Sequence, residues 1–213
     1  IVISTYNQAE FIEDTIESIL FQTDNNFEVI LVNNSSTDNT MDVVSRYKKE
    51  NFTIYENRYC GLSESRNFGA SKAAGEWLLF IDGDDKIAPT FLEKTVATLK
   101  NNPSIGFAYT DTQHFHDSNG SWNHPEYNFD NLLQQNFVSS CSLIRRSAFE
   151  ESGGYSKKNW GYFEDWQKWI HLGSLGWHGK HIPEKLFYYR IHKKSAMQSN
   201  RNAAFGQVYK SFI

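Results

Sequence analysis

Short apolar segments alternate with amphipathic segments through the first hundred residues, and this alternation restricts the fold more than any other feature of the sequence. Four of the apolar segments have the length and composition of strands that are buried on both faces of a sheet. They lie at residues 1–4, 29–32, 52–55 and 77–81. The segments between them carry apolar residues at helical spacing, such as Ile12, Ile16 and Ile19. This order predicts an α/β fold in which helices flank a mostly parallel, Rossmann-like central sheet.

Helix positions are predicted from the apolar spacing and from residues that begin or end helices. Helices are expected at residues 10–21, from Thr37 or Asp38 through Tyr47, at 62–74 with Gly75 as the terminator, and from Pro89 through Leu99. After Pro103 the regular alternation stops. We predict strands at 106–112, 138–145 and 187–191, a helix at 164–175, loops or a hairpin at 113–128, and an amphipathic helix from Ser199. The chain is thus predicted to be a single domain, residues 1–213, whose two halves bind different ligands.

The composition excludes several classes of protein. With 213 residues, of which 39% are hydrophobic, the chain can bury the core of a globular domain. A net charge of -4 argues against nucleic acid as a partner, because nucleic-acid binders need a basic surface. No apolar run reaches the roughly 20 residues of a transmembrane helix. The chain starts with Ile1 rather than Met, which predicts a piece of a longer protein and leaves membrane association through other segments open.

The two cysteines, Cys60 and Cys141, have no metal-like spacing. Two free thiols, which we favour over a single disulfide, are typical of a reducing compartment. A cytoplasmic location is therefore expected, either free or peripheral at the inner face of the membrane.

An acidic turn, Asp82, Gly83, Asp84 and Asp85, follows the fourth predicted strand directly. In open parallel sheets ligands bind at the carboxyl ends of the strands, which is where this turn lies. Clustered carboxylates repel one another unless a cation neutralises them, and hard oxygen ligands suit Mg²⁺ or Mn²⁺. A metal ion here can bridge a diphosphate, and Gly83 allows the turn to tighten around a ligand. The alternative is an ordinary solvated turn, since Asp and Gly are common turn residues.

Seven segments besides the acidic turn carry short motifs in a fixed order along the chain. They are STYN at 4–7, SILFQT at 18–23, FEVILV at 27–32, SSTDNT at 35–40, GLSESRNFG at 61–69, FED at 163–165 and YRIHKKS at 189–195. With DGDD at 82–85 and Pro89, they resemble the motifs of the family 2 glycosyltransferases, which have the GT-A fold. The resemblance implies a metal-dependent, inverting transfer of a sugar from a nucleotide-diphosphate donor, UDP-sugar being favoured, in cell-surface glycan synthesis. It also implies that residues 1–105 bind the nucleotide sugar and that residues 106–213 bind a carbohydrate, lipid-linked or protein acceptor.

The resemblance assigns the nucleotide to the ends of the first two strands. Ser4, Thr5 and Tyr6 would contact the base or the ribose, although ordinary polar loop residues would also fit this composition. Asn33 and Asn34 replace the pair of aspartates that the family usually has, and Asn34 stands where the family's aspartate hydrogen-bonds the base, so the sequence departs from the family pattern there. An amide both donates and accepts hydrogen bonds, whereas a carboxylate only accepts them. Uridine remains the first expectation, and the base specificity stays open.

The same resemblance assigns the metal and the diphosphate to the acidic turn and to a late segment of the chain. Asp84 would be the direct metal ligand, Asp82 would contact the ribose or the metal, and Asp85 would support the turn or face the acceptor. His192 would be a further metal ligand or a diphosphate contact, the alternative being an ordinary histidine at the end of a strand. The implied cofactor is Mn²⁺ or Mg²⁺.

Two charged residues outside the turn complete the implied site. Arg66 could reach a phosphate, or it could form a surface ion pair with Glu64 or Glu76. Asp165 is the implied catalytic base, because transfer with inversion needs one group to take the proton of the acceptor hydroxyl. The alternative for Asp165 is helix capping together with Glu164.

The acceptor side is the part of the site that the motifs define least. Acceptor selectivity is expected to come from loops at 113–128 and 153–163. Five of the six tryptophans lie after residue 120. Most of them are expected to pack in the core, while one or two could form a platform for a sugar ring.

Other functions are compatible with an α/β sheet and an acidic turn. A nucleotidyltransferase usually carries a glycine-rich basic loop after the first strand, whereas residues 6–10 contain no Gly, Lys or Arg. A dehydrogenase is disfavoured because no Gly-x-Gly-x-x-Gly motif follows that strand. A non-catalytic nucleotide-sugar-binding module of a larger enzyme would fit Asn33 and Asn34, but Asp84, Asp165 and His192 favour an enzyme. The sequence therefore predicts a glycosyltransferase.

Overall fold

The computed structural model describes residues 1–47, 50–58, 61–156 and 163–193. Its strands are β1 (Val2–Thr5), β2 (Val29–Asn33), β3 (Phe52–Glu56), β4 (Trp77–Asp82), β5 (Lys86–Ile87), β6 (Ile105–His116), β7 (Ser121–Trp122), β8 (Leu143–Arg145) and β9 (His178–Ile191). Its helices are α1 (Ile12–Leu20), α2 (Thr40–Val44), α3 (Leu62–Lys72), α4 (Phe91–Lys100), α5 (Phe129–Gln134), α6 (Arg146–Glu151) and α7 (Glu164–Ser174). None of the helices in these ranges is long and apolar enough to cross a membrane.

One sheet runs through the domain in the order β3-β2-β1-β4-β8-β6-β9-β5, and β7 pairs with β6. The first four strands are parallel to one another, as their apolar composition predicts. Beyond β4 the sheet is mixed, because β8 is antiparallel to both β4 and β6, while β6 and β9 are parallel. The parallel half brings Thr5 opposite Asn33 and Ser4 opposite Asp82, so the polar ends of β1, β2 and β4 meet at one edge.

Apolar side chains cover both faces of the sheet, which explains why its strands lack an alternation of polar and apolar residues. Along β1, Val2 belongs to one cluster of buried residues and Ile3 to the other. Helices α1 and α4 pack on the Ile3 face, whereas α3 and α7 pack on the Val2 face, where Trp169 is fully buried. The sheet therefore lies between two helical layers, with its carboxyl edge free to form a site.

Several predicted boundaries differ from the observed ones for local reasons. Helix α3 ends at Lys72 because Ala73 is extended, and the Glu28 carboxylate accepts the N–H groups of Ala74 and Gly75 at 2.5 and 3.0 Å. Gly75 is therefore not the terminator. In place of a strand from residue 138, residues 138–142 form an irregular, bent segment in which the Ser142 hydroxyl donates to the Ser139 carbonyl at 2.7 Å, and only Leu143–Arg145 is a strand.

The second half contains more regular structure than its sequence pattern predicts. Strand β9 begins nine residues before the predicted start, at His178, and the short helices α5 and α6 lie in segments for which no helix is predicted. The predicted hairpin at 113–128 is present as β6 and β7. Cys141 is a buried free thiol, as predicted, whereas Cys60 and the predicted helix from Ser199 lie outside the described residues.

Replacing Gly69 by Ala should destabilise the packing of α3 on the sheet. A Cβ atom at Gly69 would lie 2.4 Å from Val2 Cγ1 and 3.2 Å from Val32 Cγ2. Because overpacking of a core of this kind costs about 1–3 kcal/mol, we expect a loss of that size in the free energy of unfolding, measured in urea. The matched control is the same change in a Val2→Ala background, where the clashing methyl is absent. An equal cost of Gly69→Ala in both backgrounds would contradict this explanation.

Candidate active site

The acidic turn continues β4 at the carboxyl edge of the sheet. Asp82 is the last residue of β4 and lies opposite Ser4 in the ladder with β1. Gly83 packs so closely that an added Cβ would lie 3.0 Å from both Thr5 Oγ1 and Ile12 Cδ1. A side chain at residue 83 would therefore push the turn away from β1 and α1, and glycine keeps the carboxylates on either side of it at the strand ends.

Asp85 is buried and supports the turn. Its carboxylate accepts the backbone N–H of Arg190 at 2.9 Å, and the Arg190 guanidinium donates to the Asp84 carbonyl at 2.7 Å and to Asp14 at 2.6 Å. Burial, followed by repulsion from Asp84 and Asp82, raises the pKa of Asp85 well above its usual value. The end of β9 is thus tied to the acidic turn, and of the two roles considered for Asp85 the geometry matches support of the turn.

Asp84 and His192 lie side by side, although they are 108 residues apart in the sequence. Nε2 of His192 is 2.9 Å from Oδ2 of Asp84, and the imidazole packs 4.6 Å from the Phe11 ring. Burial and the neighbouring Asp82 raise the pKa of Asp84, while the contact with His192 lowers it. A positive charge at this point would relieve the repulsion between the Asp82 and Asp84 carboxylates. The turn therefore has the negative electrostatic potential that favours binding of a divalent cation.

This geometry fits a metal ion that takes only part of its coordination from the protein. Among residues 1–47, 50–58, 61–156 and 163–193, no three His, Cys, Asp or Glu side chains converge to hold a metal. Mg²⁺ commonly binds through one or two carboxylates and completes its octahedron with substrate phosphates and water. Asp84, Asp82 and His192 fit a site of that shared kind, and they do not fit a closed, all-protein metal centre.

The predicted nucleotide residues are grouped at the ends of β1 and β2. Ser4, Thr5 and Asn34 are buried, Tyr6 is 45% exposed, and the Asn34 N–H donates to the Thr5 carbonyl at 2.9 Å. Within the part of the chain that the structure describes, the buried hydroxyls of Ser4 and Thr5 have no hydrogen-bond partner. Because buried polar groups are usually satisfied, these hydroxyls are groups that a ligand at this edge can satisfy.

A structural reason accounts for asparagine at residue 33. The Asn33 amide donates to Glu56 at 2.8 Å, and its side-chain oxygen accepts the N–H of Ser36 at 3.1 Å. An aspartate at this position would face the Glu56 carboxylate and could not donate to it. The asparagine at residue 33, where the family has an aspartate, is therefore explained by Glu56 on β3, which accepts a hydrogen bond that an amide can donate and a carboxylate cannot.

Arg66 is buried in the site, and the predicted alternative of a surface ion pair with Glu64 or Glu76 is wrong. Its guanidinium donates to Asp82 and to Glu164, each at 2.9 Å, and only 2% of the side chain is exposed. The Tyr155 ring lies 5.2 Å from the guanidinium carbon. Burial lowers the pKa of Arg66, but the charges of Asp82 and Glu164 outweigh this effect and raise the pKa above its usual value. Arg66 thereby joins α3, β4 and α7.

Asp165 lies in the first turn of α7 and is half-buried. Oδ2 accepts a hydrogen bond from the Asn136 amide at 3.2 Å, and Oδ1 accepts the Trp166 N–H at 2.7 Å. Burial, and secondly the charge of Glu164, raise the pKa of Asp165 to about 7. A carboxyl group with this pKa can take up or release a proton near neutral pH, which is the property that a general base needs.

A cavity of about 690 Å³ brings Asp82, Arg66, Glu164 and Asp165 together. Residues 121–125 of the predicted acceptor loop line it, and so do residues 135–140, which the sequence does not single out. Residues 153–156 are not among the lining residues, and residues 157–162 lie outside the described ranges. Asn136 is the most informative of the residues missed, and its contact with Asp165 across 29 residues has no local signal in the sequence.

Comparison with known proteins matches residues 1–166 to the family model "Glycosyl transferase family 2". The Escherichia coli UDP-Glc:alpha-D-GlcNAc-diphosphoundecaprenol beta-1,3-glucosyltransferase WfaP is 27% identical over 201 residues, 92% of this chain and 78% of that protein. The putative teichuronic acid biosynthesis glycosyltransferase TuaG of Bacillus subtilis (strain 168) is 27% identical over 212 residues, 96% of this chain and 83% of that protein.

Solved structures show the same fold. The crystal structure of S. aureus TarS 1-349 in complex with UDP-GlcNAc matches with a TM-score of 0.80 at 20% identity, covering 93% of this chain and 60% of that one. The mannosyltransferase PcManGT from Pyrobaculum calidifontis, in complex with GDP-Man and Mn²⁺, matches with a TM-score of 0.72 at 20% identity, covering 92% and 57%. The chain thus spans about 60% of these solved chains or less. The predicted GT-A fold is confirmed.

Proposed function

The chain belongs to glycosyltransferase family 2, and from this premise we propose that it transfers a sugar from a nucleotide-diphosphate donor to an acceptor hydroxyl with inversion. One observation carries the proposal: a single cavity contains Asp82 from the acidic turn and Asp165, a carboxyl group whose pKa is raised to about 7. The first can lie beside the donor's diphosphate, and the second can activate an acceptor in the same space.

The donor is proposed to be a UDP-sugar held at the ends of β1 and β2. Ser4, Thr5, Tyr6 and Asn34 would contact the base and the ribose, and the unsatisfied hydroxyls of Ser4 and Thr5 support this placement. The Asn34 amide can hydrogen-bond a pyrimidine edge as donor or acceptor. WfaP is named for a UDP-Glc donor, and TarS was solved with UDP-GlcNAc, which makes uridine the first choice.

The diphosphate is proposed to lie at the acidic turn with Mn²⁺ or Mg²⁺. Asp84, Asp82 and His192 would hold the ion, Gly83 would let the diphosphate approach the backbone, and Arg66 would add positive charge from α3. When bound, the ion would neutralise the charge that develops on the leaving diphosphate. Mn²⁺ in the PcManGT complex supports this choice of cofactor.

Asp165 is proposed to be the catalytic base of a single displacement. Of the three carboxylates that line the cavity, Asp82 and Glu164 are paired with Arg66, whereas Asp165 accepts a hydrogen bond from Asn136. Asp165 would take the proton of the acceptor hydroxyl as that oxygen bonds to the anomeric carbon of the donor sugar. The bond from that carbon to the diphosphate oxygen breaks, and the nucleoside diphosphate leaves with the electron pair.

The acceptor is proposed to be a carbohydrate or a lipid-linked sugar, with a protein as the third class, in cell-surface glycan synthesis. The printed names of WfaP, with a diphosphoundecaprenol-linked substrate, and of TuaG, in teichuronic acid biosynthesis, support this class. Sugar transfer would take place in the cytoplasm, and for a lipid-linked acceptor it would take place at the inner face of the membrane. Residues 1–105 would then bind the donor and residues 106–213 the acceptor, consistent with the cavity lining at 121–125 and 135–140.

A panel of UDP-, GDP- and dTDP-sugars tests this function directly. With alkyl glycosides as acceptors and Mn²⁺ present, we expect turnover of a UDP-sugar, measured as release of UDP. Excess chelator should abolish turnover, and added Mn²⁺ or Mg²⁺ should restore it, because Asp84 and His192 alone leave the diphosphate charge uncompensated. Asp84→Ala should reproduce the loss.

Three results would contradict parts of the proposal. Full turnover in excess chelator would refute the requirement for a metal ion. Preference for a GDP- or dTDP-sugar would refute uridine as the base of the donor. Tight donor binding without turnover of any panel member would favour a non-catalytic binding module.

A further inference from the structure

Trp122 lies at the cavity on strand β7 and is 39% exposed. Among the tryptophans that the structure describes, it is the most exposed, and Trp169 by contrast is completely buried. Single exposed apolar residues are normal on protein surfaces, so the position of Trp122 matters more than its exposure: among the tryptophans that the structure describes, it is the one that lines the cavity. The expectation of a tryptophan platform in this half of the chain therefore narrows to one residue.

The Trp122 ring is held in place by two other rings. His114 of β6 meets it edge-on, with ring centroids 4.2 Å apart and planes at 85°, and Tyr189 of β9 lies 5.6 Å away at 34°. Tyr189 lines the same cavity. Since β7 pairs with β6 through Thr112 opposite Trp122, the ring has fixed support from its own hairpin and from β9.

The segment after Trp122 is fixed by a buried carboxylate. Asp111 accepts the His124 N–H at 2.8 Å and lies 2.8 Å from Nε2 of His181. The His124 ring in turn lies 3.0 Å from the Thr112 hydroxyl. A surface that is ordered before the ligand arrives loses less entropy on binding, so this arrangement suits recognition.

The position of this platform separates it from the predicted nucleotide edge. None of Ser4, Thr5, Asn34 and Asp84 lines the cavity, and β8 lies between β4, which carries Asp82, and β6, which supports Trp122. Asp165 lines the same cavity as Trp122. A ligand stacked on Trp122 therefore shares its space with the proposed base, and of the residues proposed to hold the donor only Arg66 and Asp82 line that space.

We propose that Trp122, supported by Tyr189, is the stacking platform for the acceptor sugar, a pyranose with one face made of C–H groups; this rests on the proposed function. The electron-rich face of an aromatic ring attracts such C–H groups, which carry partial positive charge. The polar side chains of His124, Asn136 and Ser139 line the same cavity and can hydrogen-bond the sugar hydroxyls. An aromatic surface with a few polar groups is the usual composition of a site that orients a small ligand.

Binding of octyl glucoside, octyl N-acetylglucosaminide and octyl galactoside tests the platform. The dissociation constant of each glycoside is measured by saturation-transfer NMR for the wild type, Trp122→Ala and Trp122→Phe. The buffer contains UDP and Mg²⁺, and it contains no Mn²⁺. We expect Trp122→Ala to weaken binding of the preferred glycoside about fivefold, because stacking is worth on the order of 1 kcal/mol, while Trp122→Phe keeps most of the affinity. UDP affinity should not change.

Phe21→Ala is the matched control, since Phe21 is a 74% exposed aromatic residue that does not line the cavity. Its glycoside affinity should equal that of the wild type. Unchanged affinity in Trp122→Ala, absence of glycoside binding to the wild type, or a loss confined to UDP would each overturn the platform. The function and the platform fail separately: a wild type that binds glycosides but turns over no donor contradicts the function, whereas normal acceptor use by Trp122→Ala in an active enzyme contradicts only the platform.

Discussion

Asp165→Asn should reduce the rate of sugar transfer by about 10²–10⁴ while leaving the affinity for UDP nearly unchanged. The substitution keeps the size of the side chain and the first turn of α7, but it removes the group that takes the acceptor proton. The measurement is kcat at saturating donor and acceptor, with the dissociation constant of UDP measured alongside. A variant with more than a tenth of wild-type kcat would rule out Asp165 as the base.

The pH dependence of the same variant makes the test sharper. Because the pKa of Asp165 is raised to about 7, the base is protonated below that pH, and wild-type kcat should rise as pH increases through 7. The residual rate of Asp165→Asn should lack this rise. In the folded protein the ionised carboxylate is disfavoured relative to the unfolded chain, so the contribution of Asp165 to wild-type stability decreases as pH rises from about 4 to above 7. Asp165→Asn should therefore melt higher than the wild type at pH 8 and not at pH 4.

Asp130→Asn is the control for a general effect of removing an acid from a helix. Asp130 is an exposed acidic residue in the first turn of α5, and it does not line the cavity. Both aspartates interact favourably with a helix N-terminus, by about 0.3–1 kcal/mol. Unchanged kcat and an unchanged pH profile in Asp130→Asn would assign the effects at residue 165 to its place in the site.

The sequence predicts the parallel half of the fold well because that half is built from local patterns. Each of the first four strands is a short apolar run between helices with regular spacing, and the buried faces of β1 require little beyond such a run. Strand β9 extends further than its apolar run because its pairing with the twelve-residue β6 imposes an extended backbone on residues such as Lys180 and Lys185. Tertiary pairing overrides local preference there.

In the site, too, motifs predict some of the residues, whereas tertiary contacts determine others. Motif resemblance brings Asp84 and His192 together as expectations, and the structure has them in contact. The partners of Arg66 could not be predicted from spacing, because Glu164 is 98 residues away and meets Arg66 only through the tertiary fold. The nearest acidic residues in the sequence, Glu64 and Glu76, are the natural choice for a local rule, and the buried geometry selects others.

Arg66→Met should destabilise the protein by about 3 kcal/mol, the lower end of the usual cost of removing one partner of a buried ion pair, because the Asp82 and Glu164 side chains are only partly buried. Asp82 and Glu164 would then face each other without the guanidinium that now donates to both at 2.9 Å. The free energy of unfolding in urea at pH 7 measures the loss. The loss should shrink in the double variant Arg66→Met, Glu164→Gln, which removes one of the two unpaired charges.

Arg46→Met provides the comparison for a surface arginine, since Arg46 is 65% exposed and lies 4.0 Å from Glu13. Its effect on stability should stay within about 0.5 kcal/mol. If Arg66→Met instead kept wild-type stability and lost only donor affinity, Arg66 would be a phosphate ligand and not the residue that connects α3, β4 and α7.

The connecting role of Arg66 predicts a further effect on kcat, because Arg66 sets the position of Glu164, and with it the neighbouring Asp165, relative to Asp82. A base displaced by about 1 Å from the reacting atoms can lose 10²-fold in rate, so stability and kcat should fall together in Arg66→Met. In the double variant stability should recover in part, whereas kcat should stay low because the positive charge that Arg66 would add at the diphosphate is still missing.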